Sequence, residues 1–384
     1  MSLRILHVIE SMAMGGAERH LANLLQPLEQ LGVENQLVTL WSGDAYMDHV
    51  RPYAAVHDCG LRPRRVAPAI PALIRFAREA DVVHTQLPWA DIAGRVAAIA
   101  TRRPSVTTLQ TTWYDRQNVA TFEPNVQRRV RLVRRIDRIT ARSTRRFFAV
   151  SEATRRTYVQ ELGIAAERIQ VIPNSVDLGQ FNGALAESRV EARARFGMAP
   201  DEIATVMVAR LVAPKGHAHA IEAVHLAAAR LPVKLYIAGT GPEEQRLRAL
   251  AAERNAPVVF LGACTEVPSL LSASDLFLFP SVIEGMPLAL IEAMAMGRAA
   301  LCSDIPENRE AGGDTVAYSP VGDVAALTRA WSDLALDAAR RAQLGAAAQV
   351  RARRFSSQTI AAELLRAIEE VLRQERARGH VVAR

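Results

Sequence analysis

The stretch "DLFLFPSVIEGMPLALIEAMAMG", residues 275–297, runs from four consecutive apolar residues through a proline–serine and glycine–proline turn into a helical pattern. A short, unbroken apolar run bounded by turn residues marks a strand buried on both faces, and such strands belong to parallel sheets. Pro287 suits the first turn of the helix that follows. One strand–loop–helix unit is therefore legible here, and the question is whether the rest of the chain repeats it.

It does, twice. "LRILHVIES" reads as a strand and "GGAERHLANLLQPLEQLG" as a helix with Leu21, Leu24, Leu25, Leu28 and Leu31 on one face, stopped by Gly32. "NQLVTLW", "DVVHTQ", "PSVTTLQT", "RFFAVS" and "IQVIPNSVD" continue as strands, with helices at "IPALIRFAREA", "ADIAGRVAAIAT" and residues 126–146. Residues 178–200 break the rhythm. A second series then begins: "IATVMVARLV", a helix from Lys215 to Arg230, "VKLYIAGTG", a helix from Pro242, "PVVFLG", the stretch quoted above, "AALCSD" and "VAYSP". Two long amphipathic helices, 324–346 and 356–378, close the chain. Alternating β and α with buried strands predicts doubly wound parallel sheets, and 384 residues suit two domains. The expected division is 1–182 and 183–359, with a helix of about 360–384 packing back on the first domain.

Composition excludes several classes. Hydrophobic residues make up 49% and charged residues 23%, which fits a globular chain and not a disordered one. No signal peptide or transmembrane stretch is legible, so a cytoplasmic protein is expected. Cys59, Cys264 and Cys302 lie far apart, without metal or redox spacing. His217 and His219 in "KGHAHA" would not share a helix face, so no metal is expected there. Residues 1–185 carry 24 arginines against 17 acids, whereas residues 186–384 balance at 23 and 23. Most of the excess is "VQRRVRLVRRIDRITARSTRR" (126–146), with nine arginines and one acid, Asp137. Val126, Val130, Val133, Ile136 and Ile139 recur at helical spacing, which predicts a basic amphipathic helix over 126–146. A solvated face and docking to an anionic membrane surface both fit it. Nucleic acid does not, since no binding motif or interleaved aromatic accompanies it.

Ligands of open parallel sheets bind beyond the carboxyl ends of the strands. "VARLVAPKG" leaves its strand with Arg210 and reaches Lys215, one of only two lysines in the chain. Two such cations can hold a diphosphate. Glu284 stands on the loop after "LFLFPS", where it can accept bonds from hydroxyls. Glu292, two helical turns on, can reach a second hydroxylated group. The helix start between them offers N–H groups to an anion. Hydroxyls at both ends and phosphate between is the layout of a nucleotide sugar. Gly239 and Gly241 lack the third glycine of a dinucleotide fingerprint, because position 244 is Glu.

The ordered set "GGAERHLANLL", "VARLVAPKG", "IAGTGPEEQRL" and "VFLGACTEVPSLLSASDLFLFPSVIEGMPLALIEAMAMG" resembles the retaining glycosyltransferases of family 4 over nearly the whole chain. The resemblance implies an α/β GT-B fold, with two Rossmann-like doubly wound parallel-sheet domains facing a central cleft. The first would bind acceptor and the second donor. It implies that Arg210 and Lys215 hold the donor diphosphate, that Glu284, first of an E-x7-E motif, contacts the transferred sugar, and that Glu292 contacts the ribose. Backbone amides of Gly285, Met286 and Leu288 would cradle phosphate, with Gly15, Gly16 and Gly241 also on the donor side. His84, Gln110 and Asn174 are the acceptor- or sugar-side candidates. Neither cofactor nor metal is expected; the partners are a UDP- or GDP-sugar and a glycan or lipid-linked acceptor, in cell-envelope or polysaccharide biosynthesis. If residues 126–146 dock, the protein is peripheral at the inner membrane face.

Departures from the family pattern bear on the acceptor chemistry. Gln110 and Gln86 stand where many members carry histidine, and Ala209 where glycine is common. Glutamine can hydrogen-bond a hydroxyl but cannot exchange a proton near neutral pH. Two other functions stay open at this point: a sugar-nucleotide epimerase of the same fold, which needs no acceptor, and a non-catalytic scaffold.

Overall fold

The computed structural model describes residues 2–63, 65–115, 119, 123–181 and 187–379. The chain divides into two compact units, residues 1–176 with 355–384, and residues 177–354. The sequence boundary at 182/183 and the last five residues of the expected closing helix lie outside the described residues.

Unit 1 holds seven parallel strands: β1 (Leu3–Ile9), β2 (Val33–Thr39), β3 (Ala55–Asp58), β4 (Val82–Gln86), β5 (Ser105–Leu109), β6 (Arg146–Ala149) and β7 (Ile169–Val171). They lie in the order β3-β2-β1-β4-β5-β6-β7. β1 pairs with both β2 and β4, so His7 sits opposite Leu37 on one side and His84 on the other. Every pairing is parallel, so each strand is followed by a crossover, and helices cover both faces. The order reverses between β1 and β4, which sets the switch point of this sheet. The closing helix, Ser357–Ala377, belongs to this unit. Its N-cap Ser356 accepts from Thr359 N, and Ile360, Leu364, Ile368 and Val371 pack with Leu24 and Leu28 of the first helix, Gly16–Gln30, and with Phe148 of β6. Where the chain leaves and re-enters the unit, Val176 N donates to Phe355 O at 2.8 Å and Ser357 N to Val176 O at 3.0 Å.

Unit 2 holds β8 (Ile203–Val208), β9 (Val233–Ala238), β10 (Val258–Gly262), β11 (Leu276–Phe279), β12 (Ala299–Ser303) and β13 (Ala317–Ser319), ordered β10-β9-β8-β11-β12-β13. Its switch point lies between β8 and β11. The segment that broke the sequence rhythm contains the helix Arg189–Arg195, started by a Ser188–Glu191 capping box. It is clasped to the sheet's amino end, where Asp275 accepts from Arg189 at 2.6 Å, from Arg193 at 3.0 Å and from Ala204 N at 2.9 Å.

Three expectations need correction. The helix expected over 324–346 is two, Val324–Leu336 and Ala338–Ala352, because Asp337 ends the first and caps the second through Arg340 N. Lys215 precedes its helix: it closes a 3-10 turn, Ala213–Lys215, and the helix runs His217–Ala228. The arginine-rich helix expected over 126–146 runs Pro124–Thr140 and gives way to a 3-10 turn, Ala141–Ser143, before β6. It buries Val130, Val133, Asp137 and Thr140, while Ile136 and Ile139 face out at 36% and 64% exposure beside Leu132 at 58%. The cause is Arg95 on the neighbouring helix Pro88–Thr101. Fully buried, it donates to Asp137 and Thr107, and Tyr114 Oη gives Asp137 a further bond at 2.8 Å. A buried guanidinium demands a carboxylate partner, and that demand turns Asp137 inward and the isoleucines out.

Candidate active site

In unit 2 the loops after β8 and β11 are locked together. Gly216, in the left-handed region at φ 73°, lies so close to Pro280 that a Cβ would stand 2.1 Å from the Pro280 carbonyl oxygen. Val282 N donates to Pro214 O at 2.8 Å. This brings Lys215 onto Glu284, with Nζ 2.6 and 2.8 Å from the two carboxylate oxygens. Arg210 follows β8, exposed, its guanidinium without a hydrogen bond or ion pair among the described residues. Glu292 lies on the helix Leu288–Ala295 and is 1% exposed. Pro287 is the N-cap of that helix, one position earlier than expected, and supplies no side-chain cap.

Of the three expected phosphate-cradling amides, Gly285 and Met286 lie on the loop before the helix. Leu288 N instead donates to Met286 O at 3.0 Å, which corrects the expectation for that amide. Gly241 has a packing reason of its own: a Cβ there would be 2.4 Å from Leu211 O, so only glycine lets the β9 loop approach the β8 loop.

Sequence reading missed a group of buried polar atoms around these residues. Both ring nitrogens of His217, the Ser281 hydroxyl and the Asn308 Oδ1 have no hydrogen-bond partner among the described residues. They stand beyond the carboxyl ends of β8, β11 and β12. Asn308 is oriented by its amide, which donates to Ser303 O at 2.9 Å, and Ser303 in turn donates to Ser281 O. Burial, then the neighbouring Lys215, lowers His217 to a pKa of about 4, so it is neutral at pH 7. Buried polar atoms without partners are uncommon in folded proteins, and four at one sheet edge describe a surface shaped for a polar ligand. The signal lay in "HAHA" and "SDIPEN", which carry no recognisable spacing. Among the described residues no group of three or more His, Cys, Asp or Glu side chains could hold a metal ion.

In unit 1, Gly15 is the N-cap of the first helix, with no side-chain cap, and Gly16 begins it. A Cβ at Gly16 would meet nothing within 4 Å, so that position faces open space. Gln110 and Gln86 come together, Nε2 of the first donating to Oε1 of the second at 2.9 Å, and the buried Gln86 amide nitrogen has no partner among the described residues. Leu87, next in the chain, has a φ of 76°, a strained conformation of the kind that concentrates at functional sites. Asn174 is buried with Oδ1 unpartnered among the described residues, and the adjacent Ser175 is held by His20 and Asn23.

His84 does not join them. It is fully enclosed in the sheet, Nδ1 3.0 Å from His7 Nδ1 and Nε2 2.7 Å from Thr108 Oγ1. Both nitrogens are engaged, so it is part of the frame and not a group a sugar can touch. The strand ends two residues later at Gln86, whose side chain is also buried. Sequence reading also passed over Glu10, just beyond β1. Its Oε1 accepts from Trp89 N at 2.9 Å. Burial, relieved in part by that N–H and reinforced by Glu18, raises it to a pKa of about 7.

Known proteins resemble this chain. The family model described as Glycosyltransferase Family 4 matches residues 14–180, and the one described as Glycosyl transferases group 1 matches residues 202–337. A putative glycosyltransferase EpsF of Bacillus subtilis (strain 168) is 27% identical over 80% of this chain and 81% of its own length. A UDP-Gal:alpha-D-GlcNAc-diphosphoundecaprenol alpha-1,3-galactosyltransferase of Escherichia coli is 28% identical over 59% of each chain. Anabaena Alr3699/HepE, solved in complex with UDP-glucose, superposes with a TM-score of 0.82 at 21% identity, covering 96% of this chain and all of that one. The superposition identifies the two units as those of the GT-B fold. With these two matches falling one in each half of the chain, the chain belongs to the family 4 glycosyltransferases.

Proposed function

We propose that this glycosyltransferase moves a sugar, with retention of anomeric configuration and without a metal, from a UDP- or GDP-sugar to a hydroxyl of a glycan or lipid-linked acceptor in envelope or polysaccharide biosynthesis. The observation that carries the donor reading is the edge of unit 2. Arg210, Lys215, Glu284 and Glu292 stand there beside the buried polar atoms of His217, Ser281 and Asn308 that lack partners among the described residues. Arg210 and Lys215 neutralise the diphosphate, Glu292 takes the ribose hydroxyls, and Glu284 takes hydroxyls of the sugar. Lys215 is bound to Glu284; a diphosphate held by Lys215 draws the ammonium away and frees the carboxylate for the sugar. The bond from the anomeric carbon to the phosphate oxygen breaks as the bond to the acceptor oxygen forms on the same face. The acceptor proton passes to the departing phosphate oxygen, whose growing charge the two cations stabilise. No side-chain base is needed, which suits Gln110 in a position where many family members have histidine.

The test is titration of UDP, GDP, ADP and their sugars into the protein and into Glu292→Ala, with magnesium and with EDTA. Metal-independent binding of one nucleotide, lost in the variant, is expected. Failure of every nucleotide to bind would leave the scaffold reading standing, and turnover without acceptor would favour an epimerase. Product stereochemistry, read by NMR, tests retention.

The outward face of the arginine-rich helix favours an acceptor at a membrane. Leu132, Ile136 and Ile139 form an exposed apolar ridge among Arg128, Arg129, Arg131, Arg135 and Arg138, the pattern of a helix lying in a lipid interface. Among the described residues no helix is long and apolar enough to cross a membrane. Flotation with anionic vesicles is expected to fall sharply in Leu132→Ser/Ile139→Ser while nucleotide binding stays; equal flotation would remove the membrane from this reading.

A further inference from the structure

The arginine run does not end with its helix. Arg142, Arg145 and Arg146 leave the outward face and meet Arg168, from the turn before β7, and Arg378, just past the closing helix. Together they wall a cavity of about 310 Å³ at the amino ends of β6 and β7. That volume is at the lower end of the range ligand pockets occupy, about 300–1,000 Å³. A second cavity of about 280 Å³ shares Arg145 and adds Arg102 and Arg103 with no acid in its wall.

Charge in the first cavity is poorly balanced. Five arginines face two glutamates, Glu167 and Glu375. Glu375 is divided between Arg145 at 2.8 Å and Arg378 at 3.3 Å, and Arg146 reaches outside the wall to Glu370 at 3.6 Å. Arg168 donates only to the carbonyls of Thr144 and Ala141, with its guanidinium over the Phe147 ring. Burial, then Arg145 and Arg95, lowers its pKa. Arg142 is exposed and has no partner among the described residues. Helix-end carbonyls account for Arg168 and one glutamate for two further arginines. Nothing accounts for Arg142 or for the excess as a whole. Guanidinium forks converging on a pocket match the oxygens of a phosphoryl group, and an anion there would relieve their mutual repulsion.

We propose that this basin binds a phosphate monoester or diphosphate group, through Arg142, Arg145, Arg168 and Arg378. It lies at the amino ends of the strands, opposite the edge that carries Gly15, Gln86 and Gln110, so its ligand is neither the donor nor the acceptor hydroxyl. The same chemistry is offered by a lipid phosphate headgroup and by a soluble phosphate, and the experiment separates them.

Pyrophosphate is titrated calorimetrically at fixed ionic strength into full-length Arg210→Ala/Lys215→Ala protein, so that the donor edge does not respond. The same is done with Arg145→Gln/Arg378→Gln added, and with Arg142→Gln alone, an exposed change that leaves folding intact should the double variant not fold. Flotation compares vesicles of phosphatidylcholine with phosphatidic acid against phosphatidylglycerol at matched surface charge. Saturable pyrophosphate binding weakened about tenfold or more by the arginine changes, with no preference between vesicles, supports the site with a soluble ligand. Preference for phosphatidic acid, removed by the same changes and competed by pyrophosphate, supports it with a lipid headgroup. Absence of pyrophosphate binding, or binding and flotation that no arginine change alters, overturns it.

Discussion

The two sheets have the same winding but bury their polar residues in different places. Inside unit 1, His7, His84 and Asn35 form a hydrogen-bonded chain through the strands, and Arg95, Asp91 and Asp137 are enclosed between helices. The core of unit 2 is almost wholly apolar, Trp331 giving its indole N–H to Thr205 at 3.0 Å as a rare exception. Its buried carboxylates, histidine and arginine are displaced to the strand ends: His217, Glu284, Glu292 and Glu307 at the carboxyl edge, Arg193 at the amino edge. A buried polar residue at the carboxyl edge of unit 2 is therefore evidence of a site, whereas in unit 1 it is as often a structural member.

The sharpest way to break this contrast is to substitute one residue of each kind. Glu284→Gln or Lys215→Ala is expected to lower turnover about 10²–10³-fold, as loss of one charge-stabilising group does, with the melting temperature nearly unchanged. A large loss of stability with activity kept would move the Lys215–Glu284 pair into the structural class. Asp137→Ala should do the reverse. It strands a fully buried guanidinium, at a cost of about 3–5 kcal/mol, and unit 1 should melt early in calorimetry while nucleotide binding by unit 2 persists. Unaltered unfolding would mean that Thr107 and Asp91 suffice for Arg95.

A smaller effect follows from Glu10. Its pKa in the fold, about 7, lies above its ordinary 4.5. The folded state thus holds the proton more tightly, and stability present below pH 4.5 is lost as pH rises through 7. Glu10→Gln removes that loss, so the variant should gain on the parent by a few degrees between pH 5 and pH 8 and no further above it. A gain independent of pH would show that Glu10 is ionised throughout. The least change is expected from Gln110→His. With the departing phosphate taking the acceptor proton, turnover should shift less than about tenfold and gain no limb near pH 6.5; a new limb there would give the position a role as base.

Much of this was legible in the chain. "LFLF" and its counterparts are read correctly because a strand covered on both faces leaves no room for polar residues, so period and burial agree. Residues 126–146 show the limit of that logic. Periodicity groups Ile136 and Ile139 with Val130 and Val133 but does not say which of them is buried; Arg95, about forty residues earlier in sequence, turns Asp137 inward and leaves the isoleucines outside. Asp337 ended a helix that reads as continuous because a capping aspartate and an exposed helical one look alike in sequence. At the candidate site Glu284 and Lys215 stood out by spacing and rarity. Ser281, His217 and Asn308 did not, since what distinguishes them is the partner each lacks, and that exists only once the strands are assembled.

The return of the chain to unit 1 at Phe355 has a consequence for synthesis. Unit 2 is one contiguous stretch and leaves the ribosome whole, whereas unit 1 must wait for the segment that begins about 180 residues after its seventh strand. Domains commonly complete their folding from the amino end onward; here the order is inverted. Until Ile360, Leu364 and Ile368 arrive to cover Leu24, Leu28 and Phe148, the first-made half of the protein carries an open apolar face, and that interval is when a chaperone would have something to hold.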